Sequence, residues 1–364
     1  MQQRITLCGW PRMLACLVLC LLTAGAYSQD EGDAGIPTLR VCSNLLQIPT
    51  LVLDWQHKPI PKLGERRFRV SIDSGPKSHV AHVRVEGDDP IALAILVDSN
   101  RIPGNLRSRI SEAIGGLLPK SLHPGDSVWL YDLDCQLSRA VVEKPTTAAG
   151  LGATTHLLFA PERAPGKSHG SAPCPRQHWD LLDAIVTAAQ GLQDDPGRRV
   201  LLVLSDGMDR GSRTTWDAAR AYASSNGVAI FGIVFSSDST VPLPIPVRGG
   251  RGIPEVQTAP TTTNLPGLCE LTGGMVLDNT DSSLSSQLRD FLALVRARYI
   301  VEFPKPNADA GSHVLDISID GLNAFIRPAG ASVPVADPEL AKDPNTIISG
   351  EENAPPVGTK RPKQ

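Results

Sequence analysis

Two aspartates stand where apolar runs stop. Asp98 follows the unbroken run Ile91–Val97 (IALAILV) and precedes Ser99 and Asn100; Asp206 follows Arg199–Ser205 (RVLLVLS) and precedes Gly207. In open α/β sheets the carboxyl ends of such strands are where ligands bind. A different chemistry is offered by Gly166-Lys167-Ser168-His169-Gly170, which matches the G-x-S-x-G pattern of a serine nucleophile. That mechanism needs Ser168 on a tight turn between a strand and a helix, whereas Pro161, Pro165, Pro173 and Pro175 surround it. Arg248-Gly249-Gly250-Arg251-Gly252 is a single arginine–glycine copy in an acidic chain, which reads as a loop tip. No G-x-G-x-x-G follows a strand, and the histidines do not fall at metal-ligand spacing.

The elements that must position the two aspartates follow from periodicity. A short run apolar at every residue is a strand covered on both faces, as in a parallel sheet flanked by helices. In such sheets ligands bind beyond the carboxyl ends of the strands. After Asp98, Pro103-Gly104-Asn105 opens a helix with Leu106, Ile110, Ala113, Ile114 and Leu117 on one face. Ser127 to Leu133 reads as the next strand, with Leu137 to Val142 antiparallel to it. A short helix is expected within 146–158, and another from about His178 with Leu181, Leu182, Ile185, Ala189 and Leu192 buried. Helix Ser212–Ser225, strand Val228–Phe235, short helix Leu268–Gly273, edge strand Met275–Leu277 and helix Ser283–Ala297 complete the alternation. The fold class is therefore α/β, a doubly wound and mostly parallel sheet. Ser236 to Pro266 is a long loop with five prolines between Pro242 and Pro260, expected beside the Asp98 face.

Small β modules are expected at both ends. Leu39 to Glu86 reads as antiparallel strands, and Tyr299–Phe303 with His313–Asp320 as a closing hairpin. From residue 329 the chain is Pro-rich and polar and is expected to be disordered. The organisation expected is thus a leader over 1–28, a β module over 38–88, the α/β domain over 89–298, a hairpin over 299–328 and a tail over 329–364.

The leader reading rests on Arg4 and Arg12, the apolar stretch Met13–Leu22, and Ala26 and Ser28 before a cut at Gln29. It implies a secreted, periplasmic or envelope location and no membrane span in the mature chain. Of 364 residues, 41% are hydrophobic and 20% charged, an ordinary globular balance. Removing the leader takes two arginines and no acid, so the mature chain is more acidic than the net −3 of the whole. With aromatics at 4%, nothing points to a nucleic-acid partner. Cys42, Cys135, Cys174 and Cys269 remain, an even number that permits disulfides in three connectivities.

The strand–helix alternation, ILVDSN at the first strand end and VLLVLSDG at the later one resemble the von Willebrand factor A domain. Leu181-Leu182-Asp183-Ala184-Ile185 is similar to the helix that follows that family's threonine. LVLDWQHKPIPKLGERRFRVSIDSG and RYIVEFPKPNADAGSHVLDISIDG resemble the β segments flanking the domain in secreted bacterial relatives. The resemblance implies a D-x-S-x-S loop, a threonine and a second aspartate around a divalent cation. Residue by residue, Asp98 and Asp206 match, Asn100 replaces the first serine, Ile102 replaces the second, and the threonine position falls at about Trp179. The expectation is accordingly an exported, non-enzymatic module for protein interaction or adhesion. It takes no cofactor and binds a protein partner through Asp98, Ser99, Asn100 and Asp206. The alternatives are Mg²⁺-dependent adhesion through Asp98, Asn100 and Asp206, and a secreted serine hydrolase using Ser168.

Overall fold

The computed structural model describes residues 40–42, 45–102, 104–117, 121–142, 148–159, 179–235, 264–277, 283–306, 311–333, 346–348 and 355–358. In chain order its elements begin with β1 (Arg40–Cys42), β2 (Leu45–Leu53), β3 (Phe68–Ile72), β4 (Ser78–His79), β5 (His82–Val85) and β6 (Ile91–Val97). Next come α1 (Gly104–Gly115), β7 (Ser127–Asp134), β8 (Gln136–Val142), α2 (Ala148–Leu158), α3 (Leu181–Gln190) and β9 (Arg198–Ser205). Then α4 (Trp216–Ser225), β10 (Ala229–Val234), α5 (Leu265–Leu271), β11 (Val276–Leu277) and α6 (Leu284–Arg296) follow. The chain ends with β12 (Tyr299–Pro304), β13 (Gly311–His313), β14 (Leu315–Ile319), β15 (Phe325–Pro328), β16 (Ala331–Val333) and β17 (Thr346–Ile348). A small separate unit contains the parallel pair β1 and β17.

The main unit is built on a six-stranded sheet in the order β11-β10-β9-β6-β7-β8. All neighbours are parallel except β8, which returns antiparallel along β7. The α/β, doubly wound expectation is met. Every residue of β6 is buried, and its two faces meet different helices. Ile91, Leu93, Ile95 and Val97 join Ile110 and Ile114 of α1 and Leu288 and Phe291 of α6. Ala92, Ala94 and Leu96 join Ile185, Ala188 and Ala189 of α3. Small side chains on both β6 and α3 let that helix lie close to the sheet. The sheet reverses its order between β6 and β9, so their carboxyl ends mark the topological switch point.

The β segments from the two ends of the chain form one sandwich rather than two modules. Sheet β15-β2-β12-β5 mixes early and late strands, as does sheet β14-β3-β4. Between them pack Val52, Phe68, Val70, Tyr299, Val301, Phe303 and Ile317. The other face of β2 contributes Leu51 and Leu53 to the α/β core, which seats the sandwich on it. The seam is closed by a fully buried ion pair. Arg298 Nε lies 2.7 Å from Glu86 Oε2, and Nη2 lies 2.8 Å from Oε1.

Several boundaries differ from expectation. The helix expected from Ser212 starts at Trp216, because Thr215 caps it by accepting from Ala218 N at 3.2 Å. The short helix starts three residues early at Leu265, with Asn264 as cap and Pro266 in the first turn, where a missing N–H costs nothing. The strand expected over His313–Asp320 is broken at Val314, where β13 pairs with β16 and β14 with β3. Within the tail expected to be disordered, β16, β17 and residues 355–358 are placed. The leader, Ser168, the 248–252 segment and residues 236–263 of the long loop lie outside the described residues.

Arg298→Ala leaves the Glu86 carboxylate buried and alone, which costs about 3–5 kcal/mol. We expect urea unfolding to show that loss, and Arg298→Ala with Glu86→Ala to recover part of it because the orphaned charge is gone.

Candidate functional site at the switch point of the sheet

β6 and β9 run parallel in register, Val97 beside Leu204, so Asp98 and Asp206 leave the sheet at the same rim. The structure brings the two together as expected, but not as equal tips. Asp98 is 2% exposed and Ser99 2%, whereas Asn100 and Asp206 are half-buried. Asp98 Oδ2 accepts a hydrogen bond from Ser205 Oγ at 2.8 Å, and Ser205 Oγ in turn accepts from Gly207 N at 3.1 Å. Gly207 has φ of +76, the left-handed region glycine tolerates best. Asp206 Oδ1 accepts from Met208 N at 2.9 Å, a local turn.

Burial pushes the Asp98 pKa up to about 7. The Ser205 hydrogen bond opposes this, nearby Asp206 adds to it, and the Arg101 guanidinium again opposes it. Asp132 at the end of β7 is pushed to about 6, also by burial, with the Ser99 hydroxyl opposing. Ser99 Oγ and Asp132 Oδ1 are both buried, yet the pair falls short of full hydrogen-bond geometry. Arg107 of α1 holds the loop through the Ser99 carbonyl, with Nε at 3.2 Å and a second contact from Nη2.

Ile102, at the second serine position, is 5% exposed and belongs to the core cluster beneath the loop. It is a plug, not a ligand. Trp179 is 41% exposed and touches the rim through its backbone, donating from N to the Cys135 carbonyl at 3.0 Å. Asp180, missed in the sequence, is the acidic group there. It is buried and caps α3, its Oδ1 accepting from Leu181 N at 3.0 Å and its Oδ2 from Arg210 N at 3.2 Å. Burial raises its pKa, with Asp209 adding and Arg101 opposing. An aspartate directly before an apolar-periodic helix is a recognisable cap, so the signal was present. Asp209 and Asp183 are likewise occupied. Asp209 Oδ1 accepts from Leu182 N, and Asp183 accepts from Arg213 N and Thr214 N at 3.0 and 2.8 Å.

Three of the positions that the resemblance assigns to a cation carry oxygen donors, Asp98, Asn100 and Asp206. Asp98 is buried and engaged by a hydroxyl, both Asp180 oxygens receive backbone N–H groups, and Ile102 and Trp179 bring no donor oxygen. Among the described residues no group of three or more His, Cys, Asp or Glu side chains is arranged to hold a metal. Cys135, next to the rim at the β7–β8 turn, is disulfide-bonded. Cys269 is free and buried, so the four cysteines do not all pair, and burial pushes its thiol well above its usual range.

No protein-family model matches the sequence, and no curated protein matches it. Among solved structures, an aerotolerance-related membrane protein from Bacteroides fragilis is 15% identical, covering 56% of this chain and 98% of its own, with a TM-score of 0.36. BatB from Bacteroides thetaiotaomicron is 16% identical, covering 57% and 98%, with a TM-score of 0.33. The SpRpn10 VWA domain is 11% identical, covering 55% and 94%, with a TM-score of 0.31.

The raised Asp98 pKa fixes a pH dependence. The folded state holds this proton more tightly than the unfolded chain, so the group's contribution is full below pH ~4 and is lost as pH rises through ~7. Asp98→Asn removes that loss. Unfolding free energies from urea titrations in EDTA are expected to fall for the wild type between pH 4.5 and 8, by roughly 2–4 kcal/mol from this group. They should fall much less for the variant, which keeps the declines due to Asp132 and Asp180.

Proposed function

We propose that the chain is an exported, non-enzymatic protein-interaction module of von Willebrand A type, whose partner docks on the rim without a metal. The observation that carries the reading is the placement of Asn100 and Asp206. Both are half-buried on loops leaving neighbouring strands at the switch point, the position where open α/β sheets receive ligands. Behind them the Asp98–Ser205 hydrogen bond and the Arg107 clamp on Ser99 fix the two loops, so the contact groups are held before binding. Export is supported by the leader-like residues 1–28 and by the disulfide at Cys135, a bond of oxidising compartments. Among the described residues no helix is long and apolar enough to cross a membrane.

The test is quantitative binding to a partner identified by cross-linking to the full chain. Asn100→Ala with Asp206→Ala is expected to weaken binding at least ten-fold, while EDTA leaves the wild type unchanged. Undiminished binding by the double variant would remove the assigned face. Heat released on titrating Mg²⁺ or Mn²⁺ would move the reading to metal-dependent adhesion through Asp98, Asn100 and Asp206. Labelling of Ser168 by a fluorophosphonate would replace it with a hydrolase.

A further inference from the structure

β3 ends at Ile72 in a turn held rigidly from several sides. Asp73 and Ser74 both have left-handed φ, 49 and 63, and Gly75 N donates to Ile72 O at 2.8 Å. Two consecutive positive-φ residues closed by that bond make a type I′ turn. Neither is glycine, so the surroundings must hold them there. Asp73 Oδ1 accepts from Val314 N at 2.9 Å, and Oδ2 lies 2.8 Å from His313 Nδ1. Ser71 Oγ donates to Gly75 O at 2.6 Å.

Against this corner lie residues 355–358 of the tail. Val357 forms a parallel bridge with Ile72, and Gly358 N donates to Ile72 O at 3.1 Å, so that carbonyl serves both the turn and the tail. Pro355 is buried, and Val357 packs against the sandwich core. The fit is tightest at two glycines. A Cβ on Gly75 would lie 2.4 Å from Pro356 O, and one on Gly358 would lie 2.1 Å from Asp73 O. Neither glycine has positive φ, so what their bareness provides is close approach of two backbones.

We propose that the Ile72–Gly75 corner is a peptide-docking slot for an extended Pro-Pro-Val-Gly segment, filled in this chain by its own residues 355–358. Recognition is by backbone pairing at the carboxyl end of β3, beyond its last pair with β4, with a main-chain hydrogen bond for affinity and an apolar seat for Val357. Size sets specificity, since a side chain at either glycine collides with the opposite backbone. A single hydrogen bond and one valine hold a free peptide weakly. A tethered segment instead meets its site at an effective concentration on the order of mM, which keeps the slot filled yet releasable.

The test uses the full chain with its own tail unable to dock. Gly358→Ala leaves the slot empty, and a fluorescein-labelled peptide of residues 354–364 with the natural sequence is titrated against it. The variant is expected to bind that peptide at least ten-fold more tightly than the wild type, whose slot is occupied. Adding Gly75→Ala should abolish the binding, while circular dichroism shows both variants folded. A peptide carrying the Gly358→Ala change should fail with every protein. The proposal is overturned if the peptide binds wild type and variants alike, or if Gly358→Ala binds none at millimolar peptide.

Discussion

A strand with no polar side chain has to be covered on both sides, and much of this molecule is that cover. β6 places four apolar residues toward α1 and α6 and three toward α3, all buried. Each large side chain removed from water contributes about 1.5–3 kcal/mol, so neither face can be given up cheaply. The same constraint drives every hydrogen-bonding side chain of the segment to its ends. Asp98 sits at one end, buried, and is tolerated there because Ser205 supplies a hydroxyl. The rim is therefore a by-product of the core: where the apolar run stops, the polar groups gather.

The opposite end of the sheet is set by a second carboxylate. Asp126 Oδ1 accepts from Ile91 N at 3.0 Å, where β6 begins, and Oδ2 accepts from His123 N at 2.7 Å and from Arg296 Nη2 at 2.6 Å. One side chain thus aligns the starts of β6 and β7 with the end of α6. Two residues further on, Arg298 and Glu86 tie β12 to β5. Register set at this end carries along β6 and β9 to the other, where Asp98 and Asp206 emerge together.

What could be read in advance was whatever depends on local pattern. Apolar continuity located β6, β9 and β10, and helical spacing located α1, α3 and α6. The two aspartates at the rim followed from where those runs stop. Pairing between distant segments has no such signature. Nothing in Leu45–Leu53 says that its neighbours are Tyr299–Pro304 and Phe325–Pro328. Burial at a strand end was equally hidden: Asp98 and Asp206 look alike in sequence, and only the packing of Ser205 and the neighbouring loops separates them. Ile102 was legible as a lost ligand but not as a core plug. Asp180, directly before the apolar-periodic run of α3, is legible as a helix cap beside the more conspicuous Trp179.

The interleaving of β2 with β12 and β15 bears on how the molecule is made. β2 emerges early from the ribosome, and its neighbours in the sheet, β12 and β15, emerge only after the whole α/β portion. Contacts that span most of a chain close slowly, because the intervening loop entropy is lost before they form. During synthesis most of Leu45–Leu53, apart from its local contact with Pro59 and Ile60, is an unpaired apolar strand open to association with other nascent chains. A chain handed across a membrane unfolded would meet the same delay on the far side. Its last-formed layer would knit from both termini at once, over a centre that had already condensed.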